Sequence, residues 1–396
     1  MKWSCQRTGT AAGRAIFRAA WPASWRVAAA APPSCWQTTR ASAARYPSEP
    51  KRLRRFPFIM DMRTMMPTIT LSDGLMAMPS GMRRWREMLK LHLRARVQQR
   101  QTRHWLQLLN SHPVFHDLVQ AYPHMIHKVY RPYLSLTLNC QQRVELLTEH
   151  YHFILQQGWG RLMSQAAHGP VRLCTVAGKS GAPYHLQLCS LHPMDREGEM
   201  VLQLMHDDDV LYSIAFSFFG SQLRATLGMR IGCLQGPKGE DSAHRVREAT
   251  RDLHGMRPKS LMVRLVRQLG YEHGCRKMLL VGNINRAVHH SAKKGRLFAN
   301  YNAIWQELGA QVRQDGDFEL ACENLPSLAL EEIPSKKRSE ARKRHELTLA
   351  MIASLRSGLE AHRSLVQAVT AGATAASAVR QSAMLDEDDD YASAIA

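Results

Sequence analysis

"CLQGPKGEDSAHRVREATRDLHGMRPKSLMVRLV", residues 233–266, starts as the end of a strand, breaks into glycines and charges, and continues as helix. The second helix begins near Pro258, which suits a first turn, and carries an apolar stripe from Leu261. The first backbone N–H groups of such a helix are unpaired and its dipole is positive there, so an anion is favoured beside Arg257 and Lys259. A ligand phosphate, water or a distant carboxylate can fill this place.

The loop where the strand ends is a second candidate for anion binding, because glycines let the backbone approach a ligand closely. The loop has neither the GxxxxGK[ST] pattern of a phosphate-binding loop nor the GxGxxG spacing of a dinucleotide site. We predict that an anionic donor is held by residues of the loop and of the helix start, namely Gln235, Gly236, Lys238, Gly239, Arg257 and Lys259.

The segments on either side of this stretch indicate the fold class. Apolar residues recur at helical spacing through residues 82–159, whereas alternation over 171–234 indicates strands joined by short turns, as in an antiparallel meander. A short buried strand at 277–281, a helix around Tyr301 and a closing strand at 317–325 follow. This order predicts an α+β protein with a helical N-terminal region, an antiparallel-rich mixed sheet and a long basic C-terminal helix.

Both ends of the chain differ in composition from the middle. Residues 1–60 hold eleven Lys or Arg and one acid, Glu49, and so carry half of the net charge of +20 of the 396-residue chain. An organelle targeting peptide, a basic disordered arm and translated upstream sequence are three interpretations. We favour the last, because several methionines lie where the composition changes. We predict a disordered or mis-assigned extension over 1–80, a helical region over 81–165, a core over 166–333, a basic amphipathic helix over 334–368 and a disordered acidic tail over 369–396.

Polar and titratable side chains follow the short strand that ends near Val281. His289 and His290 are adjacent and Tyr301 comes later, and strand ends in mixed sheets often carry ligands. Because His and Tyr donate and accept protons, these three residues are the candidates for catalysis, and a polar surface loop is an equally good interpretation. Adjacent histidines form no i, i+4 pair and no nearby carboxylate completes a triad, so no metal site is predicted.

Composition also limits the partners. The eight cysteines are scattered without CxxC spacing, which favours free thiols. No apolar run reaches the roughly 20 residues that span a bilayer. The basic residues 336–345 include no aromatic side chain for stacking on bases, so no specific nucleic-acid binding is predicted. That segment is a solvated helix face or a contact with an anionic membrane, and we expect a cytoplasmic protein that can lie at the inner membrane.

Seven stretches together resemble the VirK/YbjX family of bacterial proteins, over about residues 111–345. They are "SHPVFHDLVQAYPHMIHKVYRPYL", "LYSIAFSFFG", "IGCLQGPKG", "ATRDLHGMRPKSLMV", "VGNINRAVHHS", "NYNAIWQELGA" and "IPSKKRSEARKRHE". The resemblance implies a bacterial protein associated with virulence and with the resistance of the cell envelope to host peptides. It implies no particular reaction.

The order of elements is also similar, more distantly, to that of GNAT-type N-acyltransferases. In that family the loop after the central strand presents backbone N–H groups to the pyrophosphate of acyl-CoA, and a tyrosine on a later helix often protonates the departing thiolate. The resemblance therefore implies a GNAT-like core over 166–333, an acyl-CoA or another activated acyl donor, and Tyr301 as acid. The loop residues that match are Gln235, Gly236 and Gly239, whereas Lys238 and Glu240 replace glycine-type residues.

Two functions are compatible with these features. The leading hypothesis is a bacterial protein with a GNAT-like core that acts on the cell envelope and transfers an acyl or aminoacyl group to an amine. The alternative is a non-catalytic binding or regulatory protein that engages an anionic membrane or a protein partner through its GNAT-like shape and its basic helix.

Overall fold

The computed structural model describes residues 67–221, 226–288 and 299–363. The first part is helical, because apolar residues recur there at helical spacing. Its α-helices are α1 (Met82–Val97), α2 (Gln99–Leu109), α3 (Val114–Ala121), α4 (Cys140–Gln156) and α5 (Gly160–His168). A 3-10 helix, Pro123–Tyr130, lies between α3 and α4. The predicted helical N-terminal region is confirmed.

A mixed sheet of eight strands follows in the described residues. The strands are β1 (Val171–Ala177), β2 (Pro183–Ser190), β3 (Met200–His206), β4 (Asp209–Phe219), β5 (Gly228–Gln235), β6 (Lys277–Leu280), β7 (Gln311–Val312) and β8 (Phe318–Ala321). They lie in the order β1-β2-β3-β4-β5-β6-β8-β7. β1 to β5 form the expected antiparallel meander, β5 and β6 are parallel, and β8 pairs antiparallel with both β6 and β7. The α+β class is therefore confirmed.

The parallel pair is the place where the sheet opens. β5 and β6 pair up to Ile231, whose carbonyl accepts a hydrogen bond from the Val281 amide at 3.0 Å. A register shift against β4 leaves Gly232 as an extra residue on β5, which is a β-bulge. From Cys233 onward β5 pairs with β4 alone, so a gap opens between β5 and the chain that follows β6.

Four further helices complete the described core. They are α6 (Ser242–Asp252), α7 (Pro258–Glu272), α8 (Tyr301–Glu307) and α9 (Ser335–Ala361). Alternate strand residues point to one face of the sheet, where Phe216 and Ile231 join a large apolar core with α5, α7 and α9. On the opposite face, the Ser217 hydroxyl lies 2.8 Å from the Tyr133 hydroxyl of the N-terminal region. Both faces of the sheet are thus used for packing.

The predicted long basic C-terminal helix is confirmed as α9, and its apolar face is buried. Leu347, Met351, Leu355 and Leu359 are buried on the side of α9 that packs against β1 and α7. A Cβ on Gly358 would lie 2.1 Å from the Leu173 carbonyl oxygen, so α9 approaches β1 as closely as glycine permits. The basic start of α9 is exposed, whereas its apolar side is not available to a partner.

Several sequence-based predictions fall outside the described ranges. They include the N-terminal extension as far as residue 66 and the acidic tail. The domain boundaries at 80, 165, 333 and 368 stay predictions. The six cysteines of the described residues are free thiols. In the same residues, no three His, Cys, Asp or Glu side chains are grouped for a metal ion. No helix in this part of the chain has the length and the apolar composition needed to cross a bilayer.

Candidate functional site

The loop after β5 contacts the ring of Tyr212 on β4. A Cβ on Gly236 would lie 3.0 to 3.2 Å from atoms of this side chain, so any larger residue would have to displace the Tyr212 ring slightly. Gly239 has a φ of +102° and open space beside it. The Lys238 carbonyl accepts a hydrogen bond from an arginine of α6 at 3.0 Å. The predicted loop starts at Gln235, the last residue of β5, and leads to α6. It therefore lies against the Tyr212 side chain and is hydrogen-bonded to α6.

A basic groove of about 470 Å³ opens beside Tyr212, between α6 and the start of α7. Its four cations are Arg247 and Arg251 of α6 and Arg257 and Lys259 at the start of α7. Thr250 and Val246 complete the lining. A concave surface with four positive side chains concentrates negative ligands. The structure thus brings the predicted Arg257 and Lys259 together with two arginines that sequence analysis did not single out, whereas the predicted Lys238 and the other loop residues are not part of this lining.

One carboxylate neutralises part of the basic groove. Glu307, the last residue of α8, binds Arg257 Nη1 at 2.7 Å and Lys259 Nζ at 2.5 Å. The hydrogen bond and charge of Lys259, followed by Arg257, lower the pKa of Glu307. A distant carboxylate, one of the three possibilities, therefore lies beside the two cations at the start of α7. Arg247 and Arg251 form no ion pair within the described residues and remain available to an anion.

Tyr301 lies in the gap beyond the parallel pair and not in the basic groove. Its side chain is fully buried. The hydroxyl accepts a hydrogen bond from the Leu234 amide at 2.9 Å and another from Arg286 Nη2 at 3.1 Å, and donates to Cys233 Sγ at 3.2 Å. Burial raises the pKa of Tyr301 well above its usual value. The hydroxyl therefore keeps its proton across the physiological range.

Tyr301 belongs to a buried cluster with Glu197, Cys233 and Arg286, which sequence analysis did not single out. The Arg286 guanidinium lies 3.8 Å from the centre of the Tyr301 ring, and its Nε has no hydrogen-bond partner among the described residues. Burial raises the pKa of the Glu197 carboxyl and of the Cys233 thiol. No local pattern could identify this cluster, because its members come from separate segments of the chain.

Helix α8 connects the buried cluster to the basic groove. Tyr301 is its first residue and Glu307 its last, so they are about 9 Å apart along the axis at about 1.5 Å per residue. Asn283 fixes the start of α8, because its Oδ1 accepts a hydrogen bond from the Tyr301 amide at 2.8 Å. His289 and His290 lie outside the described residues, so their catalytic roles stay predictions.

The basic groove and the buried cluster lie inside a region that a family model matches. The family is described as "Protein of unknown function (DUF535)" and its model matches residues 80–357. The chain is a DUF535 protein. The match spans more than half of the chain and includes every site residue described above.

Relatives of this DUF535 protein agree with the resemblance to the VirK/YbjX family, which is confirmed. YbjX of Escherichia coli (strain K12) is 28% identical over 65% of this chain and 79% of its own length. A Haemophilus influenzae protein is 26% identical over 65% of this chain and 84% of its own length. The membrane protein LapB of Mannheimia haemolytica is 24% identical over 48% of this chain and 80% of its own length. These matches establish kinship and specify no reaction.

Two solved structures are similar to parts of this DUF535 protein at a low level. Both are of a cAMP-binding acyltransferase from Mycobacterium smegmatis, one of them a point mutant. Their TM-scores are 0.23 and 0.22, at 10% and 11% sequence identity. The matches cover 55% and 56% of this chain but 64% and 63% of the acyltransferase chains, which is less than two thirds of their length. The GNAT-like character of the core stays a prediction.

Proposed function

We propose that this protein transfers an acyl or aminoacyl group from an anionic donor to an amine of the cell envelope. The basic groove is the observation that carries this proposal. Arg247 and Arg251 have no ion-pair partner in the described residues, and a phosphate-bearing donor such as acyl-CoA would supply the missing negative charge. The envelope as the location of the acceptor rests on the resemblance to the VirK/YbjX family.

The order of elements supports the same proposal. The meander leads into β5, the glycine-containing loop follows beside Tyr212 of the basic groove, and α8 carries Tyr301 at its first residue. This order is the one on which the resemblance to GNAT-type N-acyltransferases depends. A donor held in the basic groove by its phosphates would extend towards the buried cluster along α8.

The proposed reaction requires positioning and one proton transfer. The amine nitrogen forms a bond to the acyl carbon and gives up a proton, the bond from that carbon to the sulfur or oxygen of the donor breaks, and the leaving group takes up a proton, so that in net one proton passes from the amine to the leaving group. Tyr301 is the candidate donor of that proton, and burial, which raises its pKa, keeps the hydroxyl protonated but makes it a weaker acid. Its hydroxyl has three hydrogen-bond partners, so a donor would have to displace Cys233 or Arg286 to reach it.

Calorimetric titration with coenzyme A and acetyl-CoA tests the donor site. We expect binding that the pair of substitutions Arg247→Gln and Arg251→Gln weakens at least tenfold. Arg276→Gln is the matched control, because Arg276 is exposed and precedes β6, at the end of the parallel pair opposite to the basic groove. Equal binding by the groove variant and the control would contradict the proposal, as would failure of every acyl donor to bind.

A second candidate function is a non-catalytic regulatory protein that binds an anion in the basic groove. The environment of Tyr301 favours it. The Tyr301 hydroxyl is buried and fully hydrogen-bonded, so it is not free to reach a substrate. Release of free coenzyme A from acetyl-CoA in the presence of amine acceptors separates the two functions. Tight donor binding without release, under all acceptors tested, would favour the regulatory protein.

A further inference from the structure

Helix α1 exposes a continuous apolar stripe. Its members are each 56% to 74% exposed, and we call them the α1 stripe: Met82, Trp85, Leu89, Leu93 and Val97. Scattered exposed hydrophobic side chains are normal on a protein surface, but a contiguous group marks an interaction site. These five make up a large part of the exposed large hydrophobic side chains in the described residues. The α1 stripe therefore requires a partner.

Helical geometry places the α1 stripe on the side of α1 that faces away from the described residues on which α1 packs. Its members follow each other at steps of three or four residues, which is one turn of about 3.6 residues, so they lie along one side. Leu91 and Ala95 lie on the other side and are buried. Through that side α1 packs against α2 and the 3-10 helix Leu71–Leu75. The helix is thus attached to the fold without using the stripe.

Positive charge surrounds the α1 stripe. Exposed basic residues of α1 are Arg83, Arg86, Lys90, Arg94 and Arg96. The single acid on the helix, Glu87, pairs with Lys90 at 2.8 Å. The four arginines form no ion pair within the described part of the chain. An exposed apolar side with flanking Arg and Lys is the pattern of helices that lie in a membrane interface, and Trp85 suits the boundary between headgroups and acyl chains.

Charge complementarity decides between the occupants that an apolar stripe permits. A second copy of this chain would bring two sets of unpaired arginines together, and like charges repel. A nucleic acid offers negative charge but no apolar phase for Leu89, Leu93 and Val97. A bilayer with anionic lipids offers both, because its phosphates meet the arginines while its acyl region receives the apolar side chains.

We propose that α1 binds the surface of an anionic membrane, with the α1 stripe at the depth of the acyl boundary and its arginines at the lipid phosphates. The basic C-terminal helix α9 differs, because its apolar face is buried against β1 and α7 and it can offer charge alone. This inference does not depend on the chemistry of the basic groove.

Sedimentation of the full chain with vesicles tests the proposal. The vesicles contain phosphatidylglycerol and phosphatidylethanolamine, and vesicles of phosphatidylcholine serve as the neutral comparison. We expect the pair Leu89→Ser and Leu93→Ser to lower the partition coefficient on anionic vesicles at least tenfold. The matched control is the pair Ile284→Ser and Val312→Ser, at exposed apolar positions far from α1 in sequence, which should change partitioning less than twofold.

Charge variants provide a second test that does not rely on apolar substitutions. Arg86→Gln with Arg96→Gln should also weaken binding at least tenfold, whereas Lys336→Gln with Lys337→Gln on α9 should change it less than twofold. Unchanged melting temperatures, measured on the same samples, exclude unfolding as the cause. The proposal is wrong if the α1 variants bind as the parent does, if only the α9 variant loses binding, or if neutral vesicles bind equally well. A concentration-dependent dimer that Leu89→Ser with Leu93→Ser abolishes would instead assign the α1 stripe to a second copy.

Discussion

The hydroxyl of Tyr301 accepts a hydrogen bond from the backbone amide of Leu234 at 2.9 Å. A side chain thereby satisfies a strand amide at the point where the bulge at Gly232 ends the pairing of β5 with β6. Buried backbone N–H groups nearly always have a hydrogen-bond acceptor. In the gap of the sheet, the Tyr301 hydroxyl is the acceptor for the Leu234 amide, and it can reach this amide only because β6 does not pair there. The same hydroxyl group therefore has a structural role, which the free energy of unfolding measures, and a proposed catalytic role, which turnover measures.

Replacing Tyr301 by Phe should affect both readouts. The Leu234 amide and Arg286 Nη2 lose this acceptor, so we expect the free energy of unfolding to fall by about 1 to 3 kcal/mol in urea denaturation. If Tyr301 is the proton donor, turnover of the folded variant should fall by about 100-fold. Tyr212→Phe is the control, because the Tyr212 hydroxyl forms no hydrogen bond within the described residues. Its stability should change by less than about 0.5 kcal/mol. A Tyr301→Phe variant with parental stability would contradict the structural role.

Two buried histidines should make the protein less stable in acid. Burial lowers the pKa of His127 and of His150 to about 4, from about 6.5 in an unfolded chain. Below pH 6.5 the unfolded state binds more protons than the folded state, so stability is complete above that pH and falls as pH decreases towards 4. Each histidine contributes a loss of up to about 3 kcal/mol by the end of this range.

Urea denaturation at several pH values between 7.5 and 4.5 measures this dependence. The Phe218 amide donates a hydrogen bond to His150 Nδ1 at 3.2 Å, and His150→Gln retains an acceptor for this amide. We expect this variant to reduce the slope of stability against pH. His127→Gln should do the same. The exposed His92→Gln should leave the slope unchanged. A stability that is constant from pH 6.5 to 4.5 would show that neither histidine is held neutral by the fold.

Removing the carboxylate of Glu307 should strengthen anion binding in the basic groove. Glu307→Gln releases Arg257 and Lys259 from their ion pairs, so both become available to a ligand. We expect inorganic pyrophosphate to bind roughly three- to tenfold tighter in calorimetric titration, given the modest strength of exposed ion pairs. Glu323→Gln, which removes the exposed partner of Arg267, is the matched control and should have no effect. Equal affinities for both variants would place the anion elsewhere.

The contact of α9 with β1 predicts an unusual effect of a Gly to Ala substitution. Alanine is favoured over glycine inside a helix by roughly 0.5 to 1 kcal/mol. At Gly358, however, the new Cβ would lie 2.1 Å from the Leu173 carbonyl oxygen, and α9 would have to move away. We expect Gly358→Ala to destabilise the protein by about 1 to 3 kcal/mol in urea denaturation. The neighbouring exposed Ser357→Ala should be neutral or slightly stabilising, and a stabilised Gly358→Ala would show that α9 does not pack on β1 in this way.

Local patterns in the sequence were sufficient for the type and order of most elements. The alternation around Tyr212 predicted a strand and the apolar spacing after Pro258 predicted a helix, because backbone geometry sets a period of two in strands and of about 3.6 in helices. The two-residue strand β7 was not predicted, since it is too short to show a period. Arg257 and Lys259 were identified for a similar local reason, because a helix start and its flanking charges are neighbours in the chain.

The sequence by itself therefore determined most of the elements, their order, and where positive charge meets the start of α7. Only the tertiary structure decided that Glu307 would neutralise part of that charge, that Arg247 and Arg251 would extend it, and that α1 rather than α9 would keep its apolar side exposed. The physical reason is the range of the interactions. Periodicity and helix dipoles act between residues a few positions apart, whereas ion pairs, buried clusters and covered faces depend on which distant segments the packing of the sheet brings into contact.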